Sequence, residues 1–250
     1  MLILLVAVVL FIHMCVVWGI YRYLKNPSVV DVGWASGLTL SGLLYLWIPS
    51  ISFRTLILGL ILILWGARLG IYLWYTRIRL GHVDKRYTSL SSQWKIAKPL
   101  GFFLNFQLQA LLILVISIPW YFSGTAEADR LTGLDYFALA LAIGALVGET
   151  IADNQLQEFK QKNKGKVCDV GLWHYSRHPN YFFEWLIWCA FALFGFAHSY
   201  GLIGLISPLT LYLLMTQITG PMTEAESLKS RGKAYEEYQK STPMFFPGIR

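Results

Sequence analysis

The sequence predicts an all-α, polytopic membrane protein: a seven-transmembrane helical bundle with its N-terminus outside and its C-terminus cytoplasmic. Three observations carry that expectation. Of the 250 residues, 56% are hydrophobic and only 14% charged, where a soluble domain carries about 25% charged residues. Seven stretches are long and apolar enough to cross a hydrocarbon layer of about 30 Å, which takes roughly 20 helical residues. The basic residues, finally, fall almost entirely on alternate sides of those stretches.

The first stretch, 2–21, has no Lys or Arg before Arg22. It lacks the basic n-region and small-residue cleavage site of a signal peptide, so it is expected as a retained span with Arg22 and Lys25 as its positive flank. The others are 29–49, 53–76, 100–122, 133–153, 180–197 and 201–220, each bounded by charge, Pro or Gly. Only His198, Ser199 and Tyr200 separate the last two, which forces a tight antiparallel hairpin. With the N-terminus outside, the inside segments hold Arg22 and Lys25; Arg77, Arg79, Lys85, Arg86, Lys95 and Lys98; Lys160, Lys162, Lys164, Lys166 and Arg177; and Lys229, Arg231, Lys233, Lys240 and Arg250. These are 18 of the 21 basic residues. Arg54 and Arg130 remain outside and Arg68 lies within a span. An even number of spans, or the reverse orientation, would spoil this asymmetry. No internal repeat, low-complexity segment or long linker divides the chain, so residues 1–250 are expected to form a single membrane domain.

The formal charge of +7 sits in loops. It points to orientation in a bilayer and to an anionic small molecule, not to nucleic acid, for which no basic helix with exposed aromatics is present. Cys15, Cys168 and Cys189 show no CxxC or zinc-type spacing and are expected to be unpaired thiols.

Ionisable groups at membrane depth cost about 2.5–3.5 kcal/mol on insertion scales and normally face a cavity. Here they are Asp31, Arg68, Glu149, Asp153 and Glu184, with Asn180 and Gln109 as polar companions. For Asp31 and Asn180 simple interfacial solvation competes with a functional role. For Arg68 the competing reading is snorkelling, or an ion pair with Asp31 or Glu149. Glu149 and Asp153 are i, i+4 and share one face of the fifth span, which Gln157 and Lys160 prolong. Asn180 and Glu184 repeat that spacing at the start of the sixth. Two polar stripes flanking a loop with five basic residues describe a pocket for a polar, anionic ligand entered from the cytoplasm.

That loop ends in Gly171-Leu-Trp-His-Tyr-Ser-Arg-His-Pro-Asn-Tyr181. His174 and His178 have i, i+4 spacing, but Pro179 follows at once and no third ligand accompanies them, so no metal site is expected. Pro179 suits the first turn of a helix. Arg177, His178 and the N–H groups of that helix start can hold phosphate oxygens, and Trp173, Tyr175 and Tyr181 can stack on a planar ring or serve as an interfacial belt. The tail, Glu224-x-Glu226…Arg231…Tyr235-Glu-Glu-Tyr238-x-x-Ser-Thr-Pro243…Phe246-Pro247, is too polar to span. It reads as a cap on the cytoplasmic mouth or an amphipathic surface helix.

The run Glu149…Asp153-Asn-Gln155…Phe159-Lys160, then Gly171-Leu-Trp…Arg177-His-Pro-Asn-Tyr181-Phe-x-Glu184-Trp, and the closing Tyr235…Tyr238…Ser-Thr…Pro247, resembles the bacterial branch of the steroid 5-alpha-reductase family. Asp31-Val-Gly-Trp34 and Asp84-x-Arg86-Tyr87 resemble its N-terminal motifs, so the likeness covers nearly the whole chain in order. The resemblance implies an integral multi-pass enzyme of the membrane (the inner membrane in a bacterium) that binds NADPH from the cytoplasm. Its reaction would be reduction of the carbon–carbon double bond of a 3-oxo-4-ene steroid or similar lipid enone, with the bilayer as the source of substrate and no obligate protein partner. Residues 1–122 would form the lipid-substrate half and 133–250 the NADPH-binding half. Carried over by position, the cofactor contacts fall on Asp153, Lys160, Asn180, Glu184, Arg231 and Tyr238, with Arg177 and Tyr181 added from the shared motif. Lys160 stands where eukaryotic relatives have Arg. Val83 replaces a frequent Glu, and Phe183 replaces a frequent Gly, which implies a tighter wall beside the cofactor.

Hydride delivery to the β carbon of an enone needs the charge growing on the carbonyl oxygen to be stabilised. The Gln-Glu pair that serves eukaryotic relatives is absent, and the local candidates are Asp31, Tyr87 and Gln109. No GxGxxG or GxxxxGK[ST] occurs, which excludes Rossmann and P-loop cofactor sites at the level of motif. The main alternative is an S-adenosylmethionine-dependent membrane methyltransferase of the isoprenylcysteine or phospholipid type, which shares the Arg-His-Pro-x-Tyr loop and for which Glu224 and Glu226 can serve. Asp153-x-Gln155 and Glu184 favour the reductase. A small lipid-binding or transport protein is the third reading, and the absence of inverted repeats or matched broken spans speaks against it.

Overall fold

The computed structural model describes residues 1–81 and 83–248; Arg250, counted above among the inside cations, lies outside the described residues. Described residues form helices α1 (Leu2–Leu24), α2 (Val29–Trp47), α3 (Phe53–Leu73), α4 (Lys85–Ser92), α5 (Lys98–Ile116), α6 (Ile118–Gly124), α7 (Gly133–Lys162), α8 (Pro179–Phe194), α9 (Ile206–Leu213), α10 (Gly220–Arg231) and α11 (Lys233–Ser241). Among them, seven helical segments have the length and apolarity to cross a membrane: Leu2–Leu24, Val29–Trp47, Phe53–Arg79, Lys98–Ile116, Gly133–Lys162, Pro179–Ala197 and Gly201–Arg231. The chain is an all-α, integral multi-pass membrane protein. Its outward faces fit that solvent: α1 alone leaves Leu4, Phe11, Ile12 and Val16 exposed, a surface no water-soluble monomer tolerates.

The chain divides into two compact units, Met1–Asp135 with Ala192–Ser207, and Tyr136–Phe191 with Pro208 onward. In the first, α2 packs against α1, α3, α5 and α6. The small residues of its buried face, Gly33, Ala35, Gly37, Ser41 and Gly42, let neighbouring backbones come close. α3 opens on a capping box, in which Ser52 Oγ accepts from Thr55 N and Thr55 Oγ1 accepts from Ser52 N. It closes on a π-helical turn, Trp74–Arg79, of the kind that often marks a functional site. The expected continuous span 100–122 is broken. Pro119 has no N–H to continue α5, so α5 ends at Ile116 and α6 restarts with that proline in its first turn.

In the second unit α7 runs past the expected end of its span to Lys162. The ring of Phe183, on α8, lies over Gly148 of α7, where an added Cβ would clash with it. The bulk of Phe183 on α8 is therefore accommodated by a missing side chain on α7. The last span contains a second π-helical turn, Leu214–Thr219, and continues as α10. α11 is amphipathic and buries Tyr235 and Tyr238. After it, Phe245 meets Phe182, Trp185 and Tyr212 edge to face, and Phe246 meets Phe182 and Trp185 in the same way.

Candidate functional site

The second unit contains a cavity of about 160 Å³ whose walls come from α7, the loop after it, the start of α8, α10 and α11. Each wall has a local cause. Gly171 has φ +60° and lies against the Gln155 side chain, a backbone turn and a close approach that only glycine makes without strain. Leu172 N then donates to Gln155 Oε1 at 2.9 Å, and Trp173 Nε1 donates to Ala152 O at 2.9 Å. The loop is thus stapled to α7 by a polar and an aromatic side chain.

Lys160, Lys166, Arg177 and Arg231 line the cavity, with His178, Tyr181, Tyr235 and Tyr238 among its aromatic walls. No Asp or Glu lines it among the described residues. Arg231 Nε donates to Lys166 O at 3.1 Å, which sets two cations side by side. Tyr181 stacks on His178 with ring centroids 4.9 Å apart. Tyr238 donates to the carbonyls of Trp173 and Ser176. Burial pushes the Tyr238 phenol far up in pKa and the Tyr235 phenol up to about 12, so both stay neutral. Burial likewise raises the Cys168 thiol, which therefore adds no negative charge to the cavity wall.

The two polar stripes do meet. Asn180 Nδ2 donates to Asp153 Oδ1 at 3.4 Å, Asp153 and Glu149 are buried, and the buried Glu184 Oε1 accepts from Trp188 Nε1 at 3.0 Å. Because a carboxylate only accepts, that bond fixes the Asn180 amide: Oδ1 points away from Asp153. Oδ1 is buried and has no partner, although Asn180 lines the cavity. Oδ1 can accept from an N–H or O–H group.

Arg177 differs from the expectation of a helix start open to phosphate. Its guanidinium is fixed by Glu224, with Nε to Oε1 at 2.7 Å and Nη2 to Oε2 at 3.1 Å, and Nη1 donates to Gln239 O and Thr242 O. Its backbone N–H goes to Pro243 O, and that of His178 to Ser176 Oγ. Glu224 also meets His178 Nε2 at 3.2 Å and Gln239 Nε2 at 2.7 Å. Glu224, Ser176 and Gln239 are missing from the sequence-derived site, though the tail pattern drew attention to Glu224. Glu226 pairs with Lys229 at 2.8 Å.

The first unit brings together all three catalytic candidates. Tyr87 donates to Asp31 Oδ1 at 2.7 Å. Burial raises its pKa, against the charges of Arg86 and Arg77 and a hydrogen bond with Gln109. Asp31 pairs with Arg77, not with Arg68, whose guanidinium lies over the Tyr72 ring at 5.6 Å. Arg77 also reaches Asp84 at 3.1 Å, and Arg86 reaches Asp84 at 2.9 Å. Burial works against the charged form of Asp84, but these arginines hold its carboxyl well below the usual range. The π-helical turn supplies Arg77 and a buried Ser28 hydroxyl holds Asp84 N at 2.9 Å, so helix ends far apart in sequence close one network. Val83 is exposed beside it.

No solved structure matches the chain. It is similar to an uncharacterized protein, C594.04c, of Schizosaccharomyces pombe, 29% identical over 265 residues that cover 94% of this chain and 76% of the relative. A family model described as a protein of unknown function (DUF1295) matches residues 17–242, and the chain, with its multi-pass bundle and buried polar clusters, belongs to the DUF1295 family.

Proposed function

We propose that this protein is an NADPH-dependent membrane reductase of the carbon–carbon double bond of a 3-oxo-4-ene steroid or similar lipid enone. The observation that carries this reading is the cavity of the second unit: four cations, aromatic walls, no lining carboxylate, and an unmet buried acceptor on Asn180. Such a site suits phosphates, a planar ring and a carboxamide or ribose hydroxyl together. It is a poor host for a sulfonium cation. At about 160 Å³ it is smaller than the roughly 300–1,000 Å³ of a whole small-molecule site, so it takes part of a dinucleotide. Lys160, Lys166 and Arg231 would hold phosphate oxygens, Tyr181 would cover a ring, and Asn180 would accept from the carboxamide or a hydroxyl. Held there, NADPH would supply the hydride that reduction of an enone requires.

This chain's own residues manage the carbonyl. Asp31 is locked in an ion pair with Arg77 and serves as an acceptor, not an acid. Tyr87, neutral and buried, carries the transferable hydrogen, which rests on Asp31 and turns to the carbonyl oxygen as charge develops there. Gln109 is the second hydrogen-bond donor. Tyr87→Phe is expected to lower kcat about 10³-fold while leaving NADPH affinity unchanged. Loss of both in one variant would move Tyr87 from chemistry to architecture.

Binding tests the first half of the reading. In detergent, NADPH is expected to raise the unfolding temperature and S-adenosylmethionine to leave it alone. Lys160→Glu with Lys166→Glu should weaken NADPH binding about 100-fold or more, since each charge-assisted hydrogen bond is worth about 1.5–3 kcal/mol, and the loss should shrink as salt is added. Stabilisation by S-adenosylmethionine alone, or wild-type NADPH affinity in the double variant, would refute it.

A further inference from the structure

We infer that His13 is a specificity residue that accepts a hydrogen bond from a hydroxyl group on the lipid substrate, at a point in the bilayer away from the reacting carbonyl. This rests on the lipid-enone reading above and adds that the substrate carries a second oxygen.

His13 lies near the middle of the first span, half-buried, and an ionisable residue at that depth is a functional candidate by default. Its Nε2 is 3.0 Å from Gly33 O and 3.3 Å from Ser36 Oγ. A carbonyl oxygen can only accept, so Nε2 carries a hydrogen and donates it. In the neutral ring, Nδ1 is then an acceptor, and no described residue donates to it. An acceptor left unmet is costly where water is absent. Beside it, Ser36 is exposed and its hydroxyl hydrogen is occupied by Val32 O at 3.0 Å. The pair therefore offers acceptors and asks for a donor. In a bilayer, the donor of that kind is a hydroxyl on an otherwise apolar molecule.

The position suits an extended substrate. Gly37 of α2 faces both Ile113 of α5 and the His13 ring, with an added Cβ 2.9 Å from Ile113 Cδ1 and 3.4 Å from His13 Cδ2. Ile113 is one turn beyond Gln109, so His13 sits about 5–6 Å deeper than Gln109 along the seam of α1, α2 and α5. A fused-ring enone whose carbonyl meets Tyr87 and Gln109 would bring a later ring to His13.

Two variants separate recognition from packing. Glutamine carries its amide nitrogen near the place of Nε2 and can keep the bond to Gly33 O while leaving nothing at Nδ1. Asparagine does the reverse, with its oxygen near the place of Nδ1. The assay follows NADPH oxidation by the purified protein in nanodiscs, using matched pairs of 3-oxo-4-ene steroids with and without one hydroxyl outside the enone ring. Wild type is expected to show a KM about tenfold lower for the hydroxylated member of at least one pair. His13→Gln should erase that difference with kcat and NADPH affinity unchanged, and His13→Asn should retain it. A purely structural His13 gives the opposite order, and that result overturns the inference. So does a wild type that turns over every pair without preference, including the case in which turnover depends instead on added cholesterol or diacylglycerol, whose hydroxyls would then own the site. If no enone is reduced at all, the reductase reading itself fails, and this inference falls with it.

Discussion

Arg54→Ala is expected to lower the unfolding temperature of the purified protein by about 10 °C or more, a loss of about 3–5 kcal/mol. Arg54 and Asp135 are 0% and 1% exposed at their side chains, and their two parallel bonds are 2.9 and 2.8 Å long. Two further guanidinium N–H groups go to Ser123 O at 2.9 Å and Phe194 O at 2.6 Å, while Thr132 N and Oγ1 both donate to Asp135 Oδ2. One arginine therefore ties the start of α3, the end of α6, the start of α7 and the end of α8. Removing either partner leaves a bare charge where water cannot reach it, which is why single replacements cost far more than the pair is worth. Asp135→Ala should match Arg54→Ala, and the double variant Arg54→Met, Asp135→Leu should regain part of the loss, held back by the two orphaned carbonyls. Arg130→Ala, on an exposed side chain of the same region, is the control and should stay within about 1 °C. A single Arg54 variant as stable as that control would remove the pair from the account.

The sequence displays such features unevenly. A membrane span is a local property, about twenty apolar residues in a row, so all seven were legible without a partner in view. The break at Ser117 was not, because an apolar count runs through Pro119 even though the helix cannot. Asp31, Gln109, Glu149, Asp153 and Glu184 announce themselves by their cost at depth, and Tyr87 by the motif it closes. Their partners do not. Arg77 reaches Asp31 through the π-helical turn, a backbone irregularity with no clear pattern in Trp74–Arg79. Arg54 and Asp135 stand 81 positions apart, and no local pattern in the sequence joins them. The i, i+4 spacings of the second unit predicted shared faces correctly, since the helix period fixes them, and Asn180 meets Asp153 as two such faces should. Spacing is silent about the tail folding back along residues 174–182, which is why Arg177 looked open to phosphate when carbonyls of the tail already occupy it.

That fold-back makes Glu224 the residue whose loss should most disturb the second unit. Its carboxylate, 8% exposed, holds Arg177, itself 11% exposed, together with His178 and Gln239. Arg177 in turn holds Gln239 O, Thr242 O and Pro243 O, and further along Ser176 Oγ donates to Phe245 O and Gly248 N to Tyr175 O. Glu224 thus lies behind the cavity wall and acts through it, as a positioning residue for Arg177 and His178. In Glu224→Ala the guanidinium loses its only carboxylate among the described residues, and the tail loses the anchor that orients its carbonyls. Limited proteolysis should then cut within 233–248 at a protease dose that leaves wild type intact, and NADPH affinity should fall about 100-fold. Glu224→Gln keeps the shape and two acceptor lone pairs but turns an amide toward Arg177, so it should cost about tenfold with the tail still protected. The proteolysis arm reads the clasp whatever the ligand is, and the affinity arm reads the cavity. A tail equally resistant in Glu224→Ala and wild type would show that the aromatic contacts of Phe245 and Phe246 hold it unaided, and would return Glu224 to the role of a simple counter-ion.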